Sequence, residues 1–280
     1  MYVLVCPCIR NPALRAEGIT KPSDIDMFNR AAGRCMRFGI GMVVLPCPET
    51  LYLGAQRTPG TFLERLDTPE FASLMDDLES RVHAIVAERG PPLCIIGVNS
   101  SPTCGVTSTW YGSTGSEPAK RAGRGVFLAR FPAIRAIDVC DFARYRIYLA
   151  APLFSEAERS YNTALADLLR QHAFDVYVPQ DAGDDTSFRH MPEHARIYEK
   201  NKKALDDTDM VVAIIDGADA DSGTAWEMGY VAAQNKPVFA LRTDFRRVGT
   251  HEHVNLMLEQ SSAVVKSRDE LLARLTSPFL

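Results

Sequence analysis

The sequence predicts an α/β fold in two domains, about 1–140 and 141–280. Two observations predict it. Short apolar runs alternate with amphipathic stretches along the chain, the pattern of parallel sheets covered on both faces by helices. The alternation restarts near residue 145, which places the join around 133–143, and no Gly/Ser-rich linker marks it. The 280 residues suffice for one large domain or two ordinary ones.

In the first domain, Leu4-Val5, Met42-Val-Val-Leu-Pro46 and Leu93-Cys-Ile-Ile-Gly97 read as short buried strands. Residues 24–38 and 69–87 between them have helical spacing. The second domain opens on strand Arg146-Ile-Tyr-Leu-Ala150, followed by a helix over 156–172 and strand Asp175-Val-Tyr-Val178. A helix over 195–205, strand Met210-Val-Val-Ala-Ile-Ile215, a helix over 225–234 and strand Pro237-Val-Phe-Ala-Leu241 complete the series.

Hydrophobic residues make up 46% and charged residues 24%, the balance of a soluble globular protein. The net charge of −4 gives no basic footprint for nucleic acid. No apolar run approaches the roughly 20 residues that span a bilayer. The apolar start lacks the basic region of a signal peptide, so a cytoplasmic location is expected. Seven cysteines, an odd number, argue against a disulfide framework in a reducing compartment. They are then buried apolar residues or metal ligands.

Ligands of open parallel sheets bind beyond the carboxyl ends of the strands. In the second domain this points to the loops at Pro152-Leu-Phe154, at Pro179-Gln-Asp181, and at Asp216 to Gly229. The third loop carries Asp219, Asp221 and Gly223 and runs into a helix with Glu227. Spacing alone allows a purely structural reading, with Thr224 as N-cap, Glu227 closing a capping box, and the aspartates favoured by the helix dipole.

Over about 130 residues this half resembles the nucleoside 2-deoxyribosyltransferases. The resemblance is carried by Ile147-Tyr148-Leu-Ala-Ala-Pro-Leu-Phe154, by Asp221 and Glu227 within Gly223-Thr-Ala-Trp-Glu-Met-Gly229, and by Asn255-Leu-Met257. It implies a flavodoxin-like, doubly wound parallel sheet without a cofactor. It makes Glu227 the nucleophile that takes the sugar and yields it to a second base, the double displacement of retaining glycosidases. Tyr148 would orient Glu227. Asp221, with Asn255 of a neighbouring subunit, would hold the sugar 5′-hydroxyl, which requires at least a dimer, and Gly223 would also bind the substrate. Asp221 would repel a 5′-phosphate. Phe154 would stack on the base, unless it is a core aromatic, and the loop from 180 to 185, with Asp181, would face it.

One position departs from the family. An aspartate that handles the proton on the departing base is replaced by Asn201, and an amide cannot act as a general acid near neutral pH. Glu199 or Asp206 could supply the proton, the leaving base could be unusual, activity could be weak, or Asn201 could be a solvent-facing helix residue.

In the first domain, strand-end logic singles out Cys8, Cys47 and Cys104, whose spacing is not a zinc pattern. Scattered buried cysteines are the plain alternative. Cys8-Ile-Arg-Asn-Pro-Ala-Leu-Arg15, Cys47-Pro-Glu49, Ser101-Pro-Thr-Cys104-Gly105 and Gly123-Arg-Gly125 resemble the thiouracil desulfidase family, although Cys6 and an insert over 107–120 look atypical. The resemblance implies a [4Fe-4S] cluster on the three cysteines, with one iron left open to a thiocarbonyl sulfur. Glu49 and Ser101 would manage protons. Otherwise Glu49 is an exposed turn carboxylate and Ser101 a turn residue before Pro102.

Together the halves suggest a fused salvage enzyme acting on nucleosides and nucleobases, thiolated ones included, with a shared intermediate kept at high local concentration. A nucleoside hydrolase and a non-catalytic nucleoside-sensing module are the alternatives.

Overall fold

The computed structural model describes residues 1–114, 117–182, 191–246, 249, 252 and 254–279. It divides into two compact units, Met1–Ala143 and Arg144–Leu280.

The first unit is built on a parallel sheet of β1 (Tyr2–Val5), β2 (Gly41–Val44), β3 (Ile95–Gly97) and β6 (Ala136–Asp138), in the order β2-β1-β3-β6. The strand β6 falls inside the segment that the sequence reads as the join. The helix α6 (Val139–Phe142), capped by the Asp138 side chain, follows it. The central strands are fully buried, whereas β2 lies at an edge and leaves Val44 exposed. The two long helices are α2 (Pro22–Arg37) and α5 (Pro69–Arg89). Thr68 caps α5, Pro69 opens it, and Gly90 at φ 78° ends it. Phe71, Met75, Leu78 and Val82 recur at helical spacing and form its buried face.

Short helices α1 (Pro7–Arg10), α3 (Pro48–Leu53) and α4 (Phe62–Arg65) lie in the loops. The insert over 107–120 forms an antiparallel hairpin of β4 (Ser108–Thr114) and β5 (Glu117–Ala122), pinned by Tyr111 stacked on Phe62.

The second unit is a five-stranded parallel sheet of β7 (Arg146–Ala150), β8 (Asp175–Tyr177), β9 (Met210–Ile214), β10 (Val238–Leu241) and β11 (Ala263–Val265). Its order, β11-β10-β9-β7-β8, is the flavodoxin-like winding. The chain moves outward from β7 to β8, then returns to the other side of β7 with β9. This topological switch point opens a crevice at the carboxyl ends of β7 and β9.

Strand alternation decides what faces the crevice helices. Ile147 and Leu149 pack on one face with Leu165 and Leu169 of α7 (Glu156–Gln171) and Leu271 of α11 (Arg268–Arg274). Tyr148 and Ala150 point to the opposite face. There they join Leu205 of α8 (Met191–Asp207), Met228 and Val231 of α9 (Ser222–Ala232), and Leu258 of α10 (Leu256–Gln260). Each buried aliphatic side chain contributes about 1.5–3 kcal/mol, so a one-residue slip of β7 would cost several such contacts.

Candidate active sites

In the second unit, Tyr148 is wholly buried at the centre of β7, and its hydroxyl donates to Glu227 Oε1 across the crevice. Burial, then the Glu227 charge, push the phenol well above its ordinary range, so it remains a donor. Burial, partly offset by the Tyr148 bond and reinforced by the Asp221 charge, leaves the Glu227 carboxyl pushed up to about 7. Such a carboxyl is half ionised near neutrality.

The capping-box reading of Glu227 is overturned. Asp221, not Thr224, is the N-cap of α9, and its Oδ2 accepts from Gly223 N at 3.0 Å and Thr224 N at 3.1 Å. The helix therefore starts three residues before Ala225, and Glu227 lies in its second turn, turned toward β7. Gly223 sits in the first turn, where an added Cβ would meet Asp221 Oδ2 at 3.1 Å.

Asn201 does not simply face solvent. Its Oδ1 accepts from the Tyr177 hydroxyl at 2.9 Å, and the Tyr177 ring stacks on Tyr148 with centroids 5.4 Å apart. A continuous set thus runs from Asn201 through Tyr177 and Tyr148 to Glu227. Sequence reasoning missed Tyr177. Its position on β8, next to β7 and in register with Tyr148, is the signal that could have found it. Asp206 is a poor proton donor, because bonds from Tyr230 and Lys202 hold it down to about 2. Glu199 is exposed.

The remaining expected residues have surroundings of their own. Phe154 is 74% exposed and so is no core aromatic. Asp181 pairs with Arg170 at 3.4 Å. Gln180 bonds Arg159 O and Thr163 on α7, while residues 183–185 of that loop lie outside the described residues. Asn255 caps α10 through Met257 N at 3.0 Å and is exposed.

In the first unit, Cys8, Cys47 and Cys104 follow β1, β2 and β3, three adjacent strands, and all line one cavity of about 710 Å³. Burial raises the Cys8 thiol, and the charges of Cys104 and Cys47 add to it. Burial likewise raises Cys47, whose sulfur accepts from Thr50 N and Oγ1 at 3.4 and 3.1 Å. Cys6, fully buried, is raised well above its usual range, first by a hydrogen bond with Cys104.

Glu49 is not an exposed turn carboxylate. Its Oε1 accepts from Ser101 Oγ at 3.0 Å and Thr103 Oγ1 at 2.9 Å, and Oε2 pairs with Arg57 at 3.5 Å. Ser101 Oγ also accepts from Cys104 N at 3.0 Å, which ties the carboxylate to the cysteine loop. Arg57, 6% exposed, and Thr103 were not foreseen, since no spacing pattern marks them. The glycine motif has a physical basis: a Cβ on Gly125 would meet the Thr103 backbone at 2.5 Å.

Among the described residues, no three His, Cys, Asp or Glu side chains converge as a single metal ion would need. A multi-iron cluster asks something different, one thiolate per iron. Cys8, Cys47 and Cys104, three soft donors lining one cavity, would supply three such ligands and leave a fourth iron open.

Comparison with known proteins gives two separate family matches. Residues 147–266 match the family "Nucleoside 2-deoxyribosyltransferase", and residues 2–132 match the family "Putative 2-thiouracil desulfurase". A relative from Ureaplasma parvum serovar 3, the uncharacterized protein UU063, is 33% identical over 131 residues, covering 42% of this chain and 80% of that protein. Among solved structures, a conserved protein from Enterococcus faecalis V583 is 30% identical, covers 46% of this chain and 96% of its own, and has a TM-score of 0.40. A 2-deoxyribosyltransferase from Bacillus psychrosaccharolyticus is 26% identical, covers 45% and 89%, and has a TM-score of 0.39. The chain thus joins, in order, a segment similar to the desulfurase family and a segment similar to the nucleoside 2-deoxyribosyltransferase family.

Proposed function

We propose that the second unit transfers 2-deoxyribose between nucleobases through a covalent glutamyl-sugar intermediate on Glu227. The observation that carries this reading is the Tyr148–Glu227 bond at the topological switch point. A half-buried carboxylate held by one donor keeps its second oxygen for attack on the anomeric carbon. The bond from that carbon to the departing base breaks as the glutamyl ester forms. A second base then attacks the same carbon and releases Glu227, so the configuration is retained. Asp221, with Asn255 of a neighbouring subunit, binds the sugar 5′-hydroxyl, Gly223 lies beside the substrate, and Phe154 and Asp181 meet the base. The assembly is at least a dimer in this reading.

In the first unit, Cys8, Cys47 and Cys104 would hold a [4Fe-4S] cluster, which supplies a soft binding position for a thiocarbonyl sulfur. Glu49, set between Ser101, Thr103 and Arg57, is placed to hold a proton as water replaces sulfur. The substrates are small nucleosides and nucleobases, thiolated ones included, and the enzyme is cytoplasmic. No helix among the described residues is long and apolar enough to cross a membrane.

The test of the transferase is Glu227→Ala, which abolishes base exchange from a deoxynucleoside. Unchanged exchange removes the assignment, and release of free sugar without exchange favours a hydrolase. For the first unit, anaerobically purified protein contains iron and sulfide, and Cys47→Ser lowers both.

A further inference from the structure

Asn201 places a neutral amide at the end of the set that runs through Tyr177 and Tyr148 to Glu227. The carbonyl end of Asn201 is occupied by the Tyr177 hydroxyl at 2.9 Å, which directs the NH₂ end as the donor. Tyr177 is itself fixed by its stack on Tyr148, the residue that holds Glu227. Among the described residues, three nearby aspartates have other partners. Asp221 caps α9, Asp206 is held by Lys202, Tyr230 and Gln234, and Asp209 accepts from the backbone of Tyr145 and Arg146.

Resting on the transferase reading, we propose that this site is selective for nucleobases with an acidic ring N–H, the thiocarbonyl bases among them, which depart and arrive as anions hydrogen-bonded by Asn201. The electron balance is simple. Glu227 forms its ester bond to the anomeric carbon, the glycosidic pair leaves with the base, and the base takes its proton from water afterwards. In return, an acceptor base that has already lost its N–H proton to water attacks the same carbon and expels Glu227. An acceptor of lower N–H pKa is more fully ionised at neutral pH, which outweighs the lower nucleophilicity of its anion, so both halves favour the same bases. An amide donor stabilises the charge without transferring a proton, so rate follows leaving-group acidity far more steeply than with a general acid. Tyr177 is a positioning residue for that donor.

The test uses the full chain with deoxynucleosides of thymine, uracil, 5-fluorouracil and 2-thiouracil, and reads kcat/KM for base release to a common acceptor. The expected result is a rise of about fivefold or more for each unit fall in base N–H pKa. Asn201→Asp flattens this dependence and adds a rate loss above the pKa of the new carboxyl. Tyr177→Phe and Asn201→Ala give similar losses, and the double variant is no worse than either. A flat dependence in the unaltered protein overturns the proposal, because some other group would then be supplying the proton. Additive losses in the double variant overturn the role of Tyr177. If no donor exchanges and Glu227→Ala changes nothing, the transferase reading itself falls, and this proposal with it.

Discussion

At the residue scale, the informative side chain is Glu227. Burial lifts its carboxyl to about 7, yet a nucleophile must be ionised. Exchange should therefore rise with pH and level off above about 7; a Glu227 acting as an acid would give the opposite limb. Removing the one bond that pulls this carboxyl down, with Tyr148→Phe, should move the rising limb to higher pH and cost on the order of tenfold in rate at pH 7. The site also carries a stability penalty. The folded protein holds the Glu227 proton to a higher pH than the unfolded chain does, so stability falls as pH rises from the ordinary carboxylate range through about 7. Glu227→Gln should thus unfold at higher denaturant concentration than the unaltered protein at pH 8, by on the order of 2 kcal/mol, and show no such gain at pH 4. The sequence marked Tyr148 and Glu227 through neighbouring motifs. Asn201 was visible only as a departure, because its partner Tyr177 comes from another strand and no local pattern connects them.

At the element scale, the start of α9 shows where sequence becomes ambiguous. Asp221, Ser222 and Thr224 are all good caps, and spacing does not choose between them. The structure chooses Asp221, which gives the residue two consequences at once. Asp221→Ala should lose about 1 kcal/mol of stability, measured by denaturant unfolding. Asp221→Asn should keep the cap while removing the charge that raises Glu227, so the rising limb of the pH–rate profile moves to lower pH. In the first unit, Gly125 allows the backbone around Thr103 and Cys104 to approach closely. Gly125→Ala should cost about 1–3 kcal/mol by overpacking and, on the cluster proposal, reduce iron content along with stability. An unchanged melting curve would contradict this packing argument.

At the scale of the whole molecule, most of the architecture was legible because both sheets are parallel and their central strands are buried, although β2, expected as a buried strand, lies at an edge. Seven of the nine strands in the two sheets stood out as apolar runs, from Tyr2–Val5 to Val238–Leu241. The two that did not are β6 and β11, of three residues each, too short to show a period. The hairpin over 107–120 was hidden for another reason. Its residues are mostly polar, and those of β5 are mostly exposed, so no hydrophobic pattern announced it. The winding order matters more for function than these omissions. It sets Tyr148 on the strand at the switch point and Glu227 on the helix after the next inner strand, so two residues 79 positions apart meet. The central claim is that Glu227 takes the sugar at this meeting point, and trapping the sugar on the protein tests it most directly. The full chain is incubated with a 2′-deoxynucleoside and no acceptor base, quenched in acid, digested and analysed by mass spectrometry. The account predicts one added deoxyribosyl group, on the peptide that contains Glu227. A sugar found on another residue, or exchange that persists in Glu227→Ala, would contradict it.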